Sequence, residues 1–130
     1  MIVLDACALV DLVIDQPWRD QLLAHLDQPI LAPAHQPAEV LSALARLRRS
    51  GQIGDDQAEA ALVEAAALDQ TLVALDGRLL QRALALDGRV RVLDGLYVAL
   101  AEERRCALLT SDARLAGAGP PCDVVLVPET

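Results

Sequence analysis

Short apolar segments alternate with longer segments of helical periodicity along this chain, and no other feature constrains its fold as strongly. Strand-like segments occupy residues 2–5, 30–32, 107–110 and 124–127, while 72–75 fits either a strand or a loop. Helical patterns occupy 7–14, 17–27, 37–49, 55–68, 77–87, 94–105 and 112–117. Repeated strand–helix alternation favours a mostly parallel sheet with helices on both faces. We therefore predict an α/β fold in which a single domain spans residues 1–130.

In two of the helical segments the sequence pattern predicts which side chains face water and which form the apolar face. In the helix 7–14 we expect Asp11 to point outward, with Asp15 beyond the end of the helix also in solvent. In the helix 17–27 the periodicity places three leucines on one apolar face: Leu22, Leu23 and Leu26. Both expectations rest on the spacing of apolar residues alone.

The charge of the chain excludes some classes of nucleic-acid-binding protein. The formal net charge is −8, and all eleven positive side chains are arginines because the chain contains no lysine. Such a chain does not hold nucleic acid by overall electrostatic attraction. An enzyme that meets phosphates with metal ions and a few local arginines remains compatible with this charge.

Features of membrane and secreted proteins are missing from the sequence. Met1 leads directly into a strand-like segment without a basic region before it. No stretch approaches the roughly 20 apolar residues of a membrane span. The three cysteines, Cys7, Cys106 and Cys122, lie at wide spacings that match no metal or disulfide motif. We expect a cytoplasmic protein with three reduced, mostly buried thiols.

Four acidic residues stand where an α/β fold brings side chains together. Asp5 and Asp112 each follow a strand-like segment, and Glu39 and Asp94 lie early in helical segments. The carboxyl ends of parallel strands share one edge of the sheet, where ligands bind in such folds. Carboxylates gathered there raise one another's pKa unless a cation lies among them. Because Mg²⁺ and Mn²⁺ prefer oxygen ligands, the set predicts a site for one of these ions.

Each acid taken singly also has a structural explanation. Asp94 and Asp112 could each serve only as a helix N-cap, and Glu39 as a solvated first-turn residue. Asp5 is harder to explain in this way, because a carboxylate at the buried end of an apolar strand needs a partner. His25 and His35 are expected at the surface, without a role in the site.

Three segments carry a resemblance to a known family: IVLDACALVDL, AEVLSALARLRRSG and LDGLYVALAEERRCALLTSDARLAGA, followed by a closing strand. In this order they resemble PIN-domain ribonucleases, and most closely the VapC-type toxins of prokaryotic toxin–antitoxin pairs. The resemblance covers essentially the whole chain. It implies a PIN-like three-layer domain with a central, mostly parallel sheet flanked by helices. Three positions depart from the usual pattern, with Cys7 in place of Ser, Leu93 in place of Tyr and Gly95 in place of Ala.

The resemblance also implies an activity and a site. The site would be built from Asp5, Glu39, Asp94 and Asp112, as catalytic residues and as ligands of Mg²⁺ or Mn²⁺, with the Thr110 hydroxyl in support. The activity would be metal-dependent hydrolysis of RNA phosphodiester bonds to a 5′-phosphate and a 3′-hydroxyl, by the toxin of a type II pair. The implied partners are a cognate antitoxin, the RNA substrate and a second copy in a homodimer. Operator DNA would be reached only through the antitoxin, and no membrane is involved.

Three arginines lie in segments that carry these acids: Arg46, Arg49 and Arg114. They are either solvated helix residues or contacts to RNA or to the antitoxin.

Other α/β proteins with acidic pockets, the phospho-acceptor receivers and haloacid-dehalogenase-type phosphatases, use a lysine that this chain lacks. The alternative that remains is a catalytically silent PIN-like interaction module.

Overall fold

Five strands and seven helices make up the part of the chain that this computed structural model describes, residues 1–129. The strands are β1 (Ile2–Leu4), β2 (Ile30–Pro33), β3 (Thr71–Val73), β4 (Ala107–Thr110) and β5 (Val124–Leu126). The helices are α1 (Ala6–Val13), α2 (Arg19–Ala24), α3 (Gln36–Arg49), α4 (Asp55–Ala67), α5 (Gly77–Ala85), α6 (Val92–Arg104) and α7 (Ala113–Gly117).

The strands form one sheet in the order β3-β2-β1-β4-β5, and every neighbouring pair is parallel. The predicted α/β fold with a parallel sheet is therefore confirmed. The segment 72–75, for which the sequence allowed a strand or a loop, contributes to the strand β3. The chain adds β2 and β3 on one side of β1 and then returns to add β4 and β5 on the other. The order thus reverses between β1 and β4, and parallel sheets bind ligands at such a switch point.

The helices pack in two groups that follow from the direction of the crossovers. Helix α1 contacts α2, α3 and α4, whereas α5 packs against α6 and α7 packs against β4 and β5. Because crossovers are right-handed, connections that run in opposite directions place their helices on opposite faces of the sheet. Helices α1–α4 therefore cover one face and α5–α7 cover the other.

Helix α6 is the central helix of its face, and its sequence explains why. Residues Gly95 to Ala101 are all buried, and α6 contacts β1, β2 and β4. A helix that is apolar on every side belongs in the interior. The strands that α6 covers are equally well buried, since Leu4 and Leu109 are at most 1% exposed. This packing fixes the first turn of α6 beside the ends of β1 and β4.

Gly95 allows α5 to approach α6 closely. A Cβ atom at this position would lie 3.1 Å from the Ala83 Cα and 3.3 Å from the Ala83 carbonyl oxygen. Both are backbone atoms, so neither can rotate away as a side chain would. The glycine that departs from the family pattern is therefore explained by helix packing, at the expense of helix propensity.

The predicted helix boundaries differ from the structure by one or more residues, and two of the differences concern residues that the sequence singled out. Helix α6 begins at Val92, because the Gly95 N–H already donates to the Arg91 carbonyl, so Asp94 is a first-turn residue and the N-cap alternative is wrong. Helix α2 covers only part of 17–27. Residues before it form a turn, and after it the backbone tightens into i→i+3 bonds. Leu23 is 40% exposed, so the expected three-leucine face is wrong at that position.

Asp11 and the cysteines also differ from expectation. Asp11 is half-buried rather than outward-facing, whereas Asp15 is exposed as predicted. The cysteines are free, but the prediction of mostly buried thiols is wrong, since Cys7 is exposed and Cys106 and Cys122 are half-buried. None of the helices within residues 1–129 has the length and apolar character that a bilayer crossing requires.

Candidate active site

Asp5 joins the centre of the sheet to the first helix. It directly follows β1, and its Oδ1 accepts a hydrogen bond of 2.8 Å from the Ala8 N–H, which caps α1. The residue is 3% exposed. Burial raises the pKa of Asp5 to about 7, and the charges of Asp94 and Asp112 add to the rise. Hydrogen bonds from Thr110 and Ala8 offset part of the effect.

Asp112 occupies the equivalent position after β4. Its Oδ1 accepts from the Arg114 N–H at 2.9 Å and from the Leu115 N–H at 3.4 Å, so the predicted N-cap of α7 is present. The Asp112 N–H donates to the Thr110 Oγ1 at 3.0 Å. Thr110 is fully buried and also hydrogen-bonds Asp5. One hydroxyl thus ties together the two aspartates that flank the switch point.

Asp94 projects from the first turn of the buried helix α6. Burial raises the pKa of Asp94, and the charges of Glu39 and Asp112 raise it further. Arg91 and Arg114 partly counter this rise. The influence of Glu39 and Asp112 on one carboxyl group shows that residues from three separate elements share an electrostatic environment.

Glu39 is held by two aromatic side chains. Its Oε1 accepts a 2.7 Å hydrogen bond from the Tyr97 hydroxyl and lies 3.1 Å from His35 Nε2. Burial disfavours the charged form, but the hydrogen bonds from His35 and Tyr97 outweigh it, so the pKa of Glu39 is lowered. The solvated-acid alternative for Glu39 is therefore wrong.

His35 is not the surface residue that the sequence predicted. Its side chain is only 12% exposed, and its ring lies 4.8 Å from the Tyr97 ring, centroid to centroid. Nε2 is also 3.2 Å from the Leu93 carbonyl oxygen, whereas Nδ1 is buried without a partner in the described chain. Since both neighbours of Nε2 are acceptors, the ring proton belongs on that nitrogen. His25 is half-buried, beyond the C-terminal end of α2.

One cleft of about 610 Å³ brings these groups together. All four predicted acids line it: Asp5, Glu39, Asp94 and Asp112. Arg46 and Arg114 line it as well, but the predicted contact Arg49 does not. The sequence reasoning missed Arg91, which also lines the cleft and precedes α6. Tyr97 was missed because 58 residues separate it from Glu39 along the chain, too far for helical periodicity to link them. His35 lies only four residues before Glu39, a helical spacing that could have indicated the contact.

A second hydrogen-bonded group extends the wall of the cleft. The Trp18 Nε1–H donates to Asp11 Oδ2 at 3.1 Å, and Asp11 lines the cleft. Burial raises the pKa of Asp11, although hydrogen bonds from Ser111 and Trp18 oppose the rise. The Ser111 Oγ and the Cys7 Sγ also lie within hydrogen-bonding distance, 3.2 Å apart. Cys7 therefore has a partner in the residue that precedes Asp112.

The donor set fits a hydrated divalent cation. All four acids supply oxygen, the ligand type of Mg²⁺ and Mn²⁺, and their mutual repulsion would be relieved by positive charge. Within residues 1–129, however, no three acidic, histidine or cysteine side chains converge tightly enough to hold one ion directly. One oxygen each of Asp5, Glu39 and Asp112 is already hydrogen-bonded. Mg²⁺ usually keeps several waters, so ligation partly through water suits this spacing.

The fold and this acidic cleft define a family. The family model of the PIN domain matches residues 2–119, so the chain belongs to the PIN-domain family. Among curated relatives it is similar to Ribonuclease VapC3 of Mycobacterium tuberculosis, with 40% identity over 126 residues that cover 95% of this chain and 91% of the relative.

Solved structures share the fold at lower sequence identity. A toxin-antitoxin complex from Klebsiella pneumoniae contains a chain with a TM-score of 0.69 and 20% identity, and the match covers 100% of both chains. VapC20 of Mycobacterium tuberculosis, described as a Sarcin-Ricin loop cleaving toxin, has a TM-score of 0.69 and 17% identity over 92% of this chain and 95% of that one. At these identities the likeness concerns the fold.

Proposed function

We propose that this chain is a divalent-metal-dependent endoribonuclease that acts as the toxin of a toxin–antitoxin pair. The observation that carries the proposal is the convergence of Asp5, Glu39, Asp94 and Asp112 on one cleft at the switch point of a parallel sheet. The ribonuclease name of a relative at 40% identity supports the choice of substrate. The reaction is hydrolysis of an RNA phosphodiester bond.

The chain's own residues have distinct tasks in this proposal. Asp5, Asp94 and Asp112 would hold the ion, at least partly through water, and Thr110 would support Asp5 and Asp112 through its hydroxyl group. Glu39 offers the oxygen that Tyr97 does not occupy, either as a ligand or to orient the attacking water. Mg²⁺ or Mn²⁺, when bound, supplies a nucleophile at neutral pH and neutralises charge on the phosphate.

Cleavage of RNA by the purified protein tests the activity. We expect cleavage with Mg²⁺ or Mn²⁺ that stops on addition of chelator. Asp5→Asn and Asp94→Asn should each lower the rate by at least about a hundredfold, because each removes a charge that holds the ion. The control is Asp69→Asn, which changes an exposed acid outside the cleft and should leave the rate unchanged.

Circular dichroism and thermal melts establish that each variant is folded before rates are compared. Undiminished cleavage by folded Asp5→Asn or Asp94→Asn would refute the site. A folded parent protein that cuts no RNA with either ion would instead favour the silent interaction module.

We further propose that the active chain is a homodimer inhibited by a basic antitoxin. A fold relative was solved as a toxin-antitoxin complex. The net charge of −8 complements a basic partner, and that partner would be the link to operator DNA. Large apolar side chains also stand exposed on both faces of the molecule and suit covered surfaces: Leu41 and Val63 on the face of α3 and α4, and Leu84 on the face of α5.

Growth assays test the toxin role separately from the chemistry. Expression of the chain alone should arrest growth of a bacterial host, and co-expression of a small neighbouring gene should restore it. Asp94→Asn, expressed to the same level, should be harmless. A parent chain with measurable nuclease activity that never slows growth would contradict the toxin role and leave the ribonuclease proposal intact.

A further inference from the structure

We infer that an arginine-lined groove beside the acidic cleft binds the RNA backbone next to the phosphate that is cleaved. The inference rests on the proposed ribonuclease function and adds to it the path of the substrate. The groove opens between the segment that joins α5 to α6 and helix α7, and it has a volume of about 340 Å³. Three arginines, Arg89, Arg91 and Arg114, line it together with two acids, Asp87 and Asp94.

The groove is continuous with the cleft. Arg91, Asp94 and Arg114 line both spaces, so a strand whose scissile phosphate lies among the acids can pass directly between the two arginines. Arg46 lies on the cleft wall formed by α3, and no other arginine besides these lines the cleft. Two of the three arginines that line the cleft, Arg91 and Arg114, therefore lie on the side where the groove opens.

Two of the groove arginines, Arg91 and Arg114, are available for a ligand. Within residues 1–129, Arg91 makes no ion pair shorter than 4 Å, and Arg114 only approaches Asp112, at 3.8 Å between Nη2 and Oδ2. Arg82, by contrast, forms a two-pronged pair with Glu102 at 3.0 and 3.1 Å. Arg89 donates to the Gly119 carbonyl, which links the connecting segment to the end of α7. Guanidinium groups without carboxylate partners are the usual ligands of phosphate oxygens.

The chemistry of the groove favours a nucleic-acid strand over an acidic peptide. The carboxylates of an acidic peptide that bound here would also be repelled by the four acids of the adjoining cleft: Asp5, Glu39, Asp94 and Asp112. A phosphodiester strand extends over several regularly spaced charges, so one phosphate can occupy the acidic cleft while the next meets the arginines. Val90, Leu115 and Ala118 give the groove apolar walls for a sugar or base.

Binding of RNA to an inactive chain tests the groove. Two unrelated fluorescein-labelled single-stranded RNA oligonucleotides are titrated in Mg²⁺ with the Asp5→Asn protein, so that the strand stays intact, over a series of KCl concentrations. Adding Arg91→Gln should raise Kd about tenfold for both sequences and reduce the salt slope by roughly 0.7. Arg89→Gln should act in the same direction. Arg104→Gln, which removes an equal charge from the exposed C-terminal end of α6 outside the cleft and the groove, is the matched control.

The outcomes separate the groove from the proposed function. Weakening by Arg91→Gln and Arg89→Gln but not by Arg104→Gln supports the groove. Equal weakening by all three reflects overall charge and overturns it. Unchanged RNA affinity together with weaker capture of a co-expressed protein partner also overturns the proposal, because the groove would then be a protein contact. If Asp5→Asn binds RNA with an affinity that neither groove exchange alters, the groove is wrong while the ribonuclease stands. If the parent neither binds nor cuts RNA, both fail.

Discussion

At the scale of single residues, the candidate site is a place where the fold tolerates an unfavourable charge. Asp5 is almost fully buried and has Asp94 and Asp112 as acidic neighbours. Its backbone cap and the Thr110 hydroxyl compensate only in part, because the pKa still rises from 3.8 to about 7. Functional sites commonly hold groups that lower the stability of the protein without ligand. Asp5 is the residue where this cost is largest.

The raised pKa of Asp5 predicts how stability without metal depends on pH. The folded chain binds the proton more tightly than the unfolded chain does, so the stabilisation is complete below pH about 4 and is lost as pH rises through about 7. In chelator, the unfolding free energy of the parent should therefore fall relative to that of Asp5→Asn over this window, by up to about 4 kcal/mol. Urea denaturation at several pH values measures the difference.

Asp69→Asn serves as the control, since this exposed carboxyl lies outside the cleft and the variant should follow the parent at every pH. Parallel curves for the parent and Asp5→Asn between pH 4 and 8 would contradict a carboxyl group that titrates near neutrality.

At the scale of elements, the pair α5–α6 sets the position of Asp94. The contact of Gly95 with the Ala83 backbone leaves no space for a side chain. Asp94 precedes this contact directly, so any widening of the helix pair moves the first turn of α6 and the carboxylate with it. The positions of Asp5 and Asp112 depend instead on the ends of β1 and β4.

Gly95→Ala should destabilise the protein although alanine is the better helix former. The propensity gain of about 1 kcal/mol is opposed by close contacts with rigid backbone, which cost typically 1–3 kcal/mol in a packed core. We expect a net loss of about 1 kcal/mol in urea denaturation and weaker RNA cleavage. Gly77→Ala, at the first residue of α5, has no atom within 4 Å of the new Cβ and should be neutral or stabilising. Equal effects of the two exchanges would refute the packing role of Gly95.

At the scale of the whole molecule, the parallel α/β architecture was predictable from sequence, whereas the strand order and the hydrogen bonds between distant elements were not. The acids after β1 and β4 could be placed because parallel strands end at one edge, whatever the details of packing. The hydrogen bond from Tyr97 to Glu39 depends on how α3 meets α6 across the end of the sheet. The start of α6 was missed by two residues, because the capping carbonyl of Arg91 carries no sequence signature.

The hydrogen bond between Trp18 and Asp11 gives this chain a built-in optical probe. The protein has one tryptophan, one tyrosine and no phenylalanine, and its tryptophan donates to a carboxylate in the cleft wall while its tyrosine donates to Glu39. Intrinsic fluorescence therefore originates next to the cleft, without background from tryptophans elsewhere. Occupancy of the cleft by an ion or a strand can thus be followed as a change in emission of the unlabelled protein.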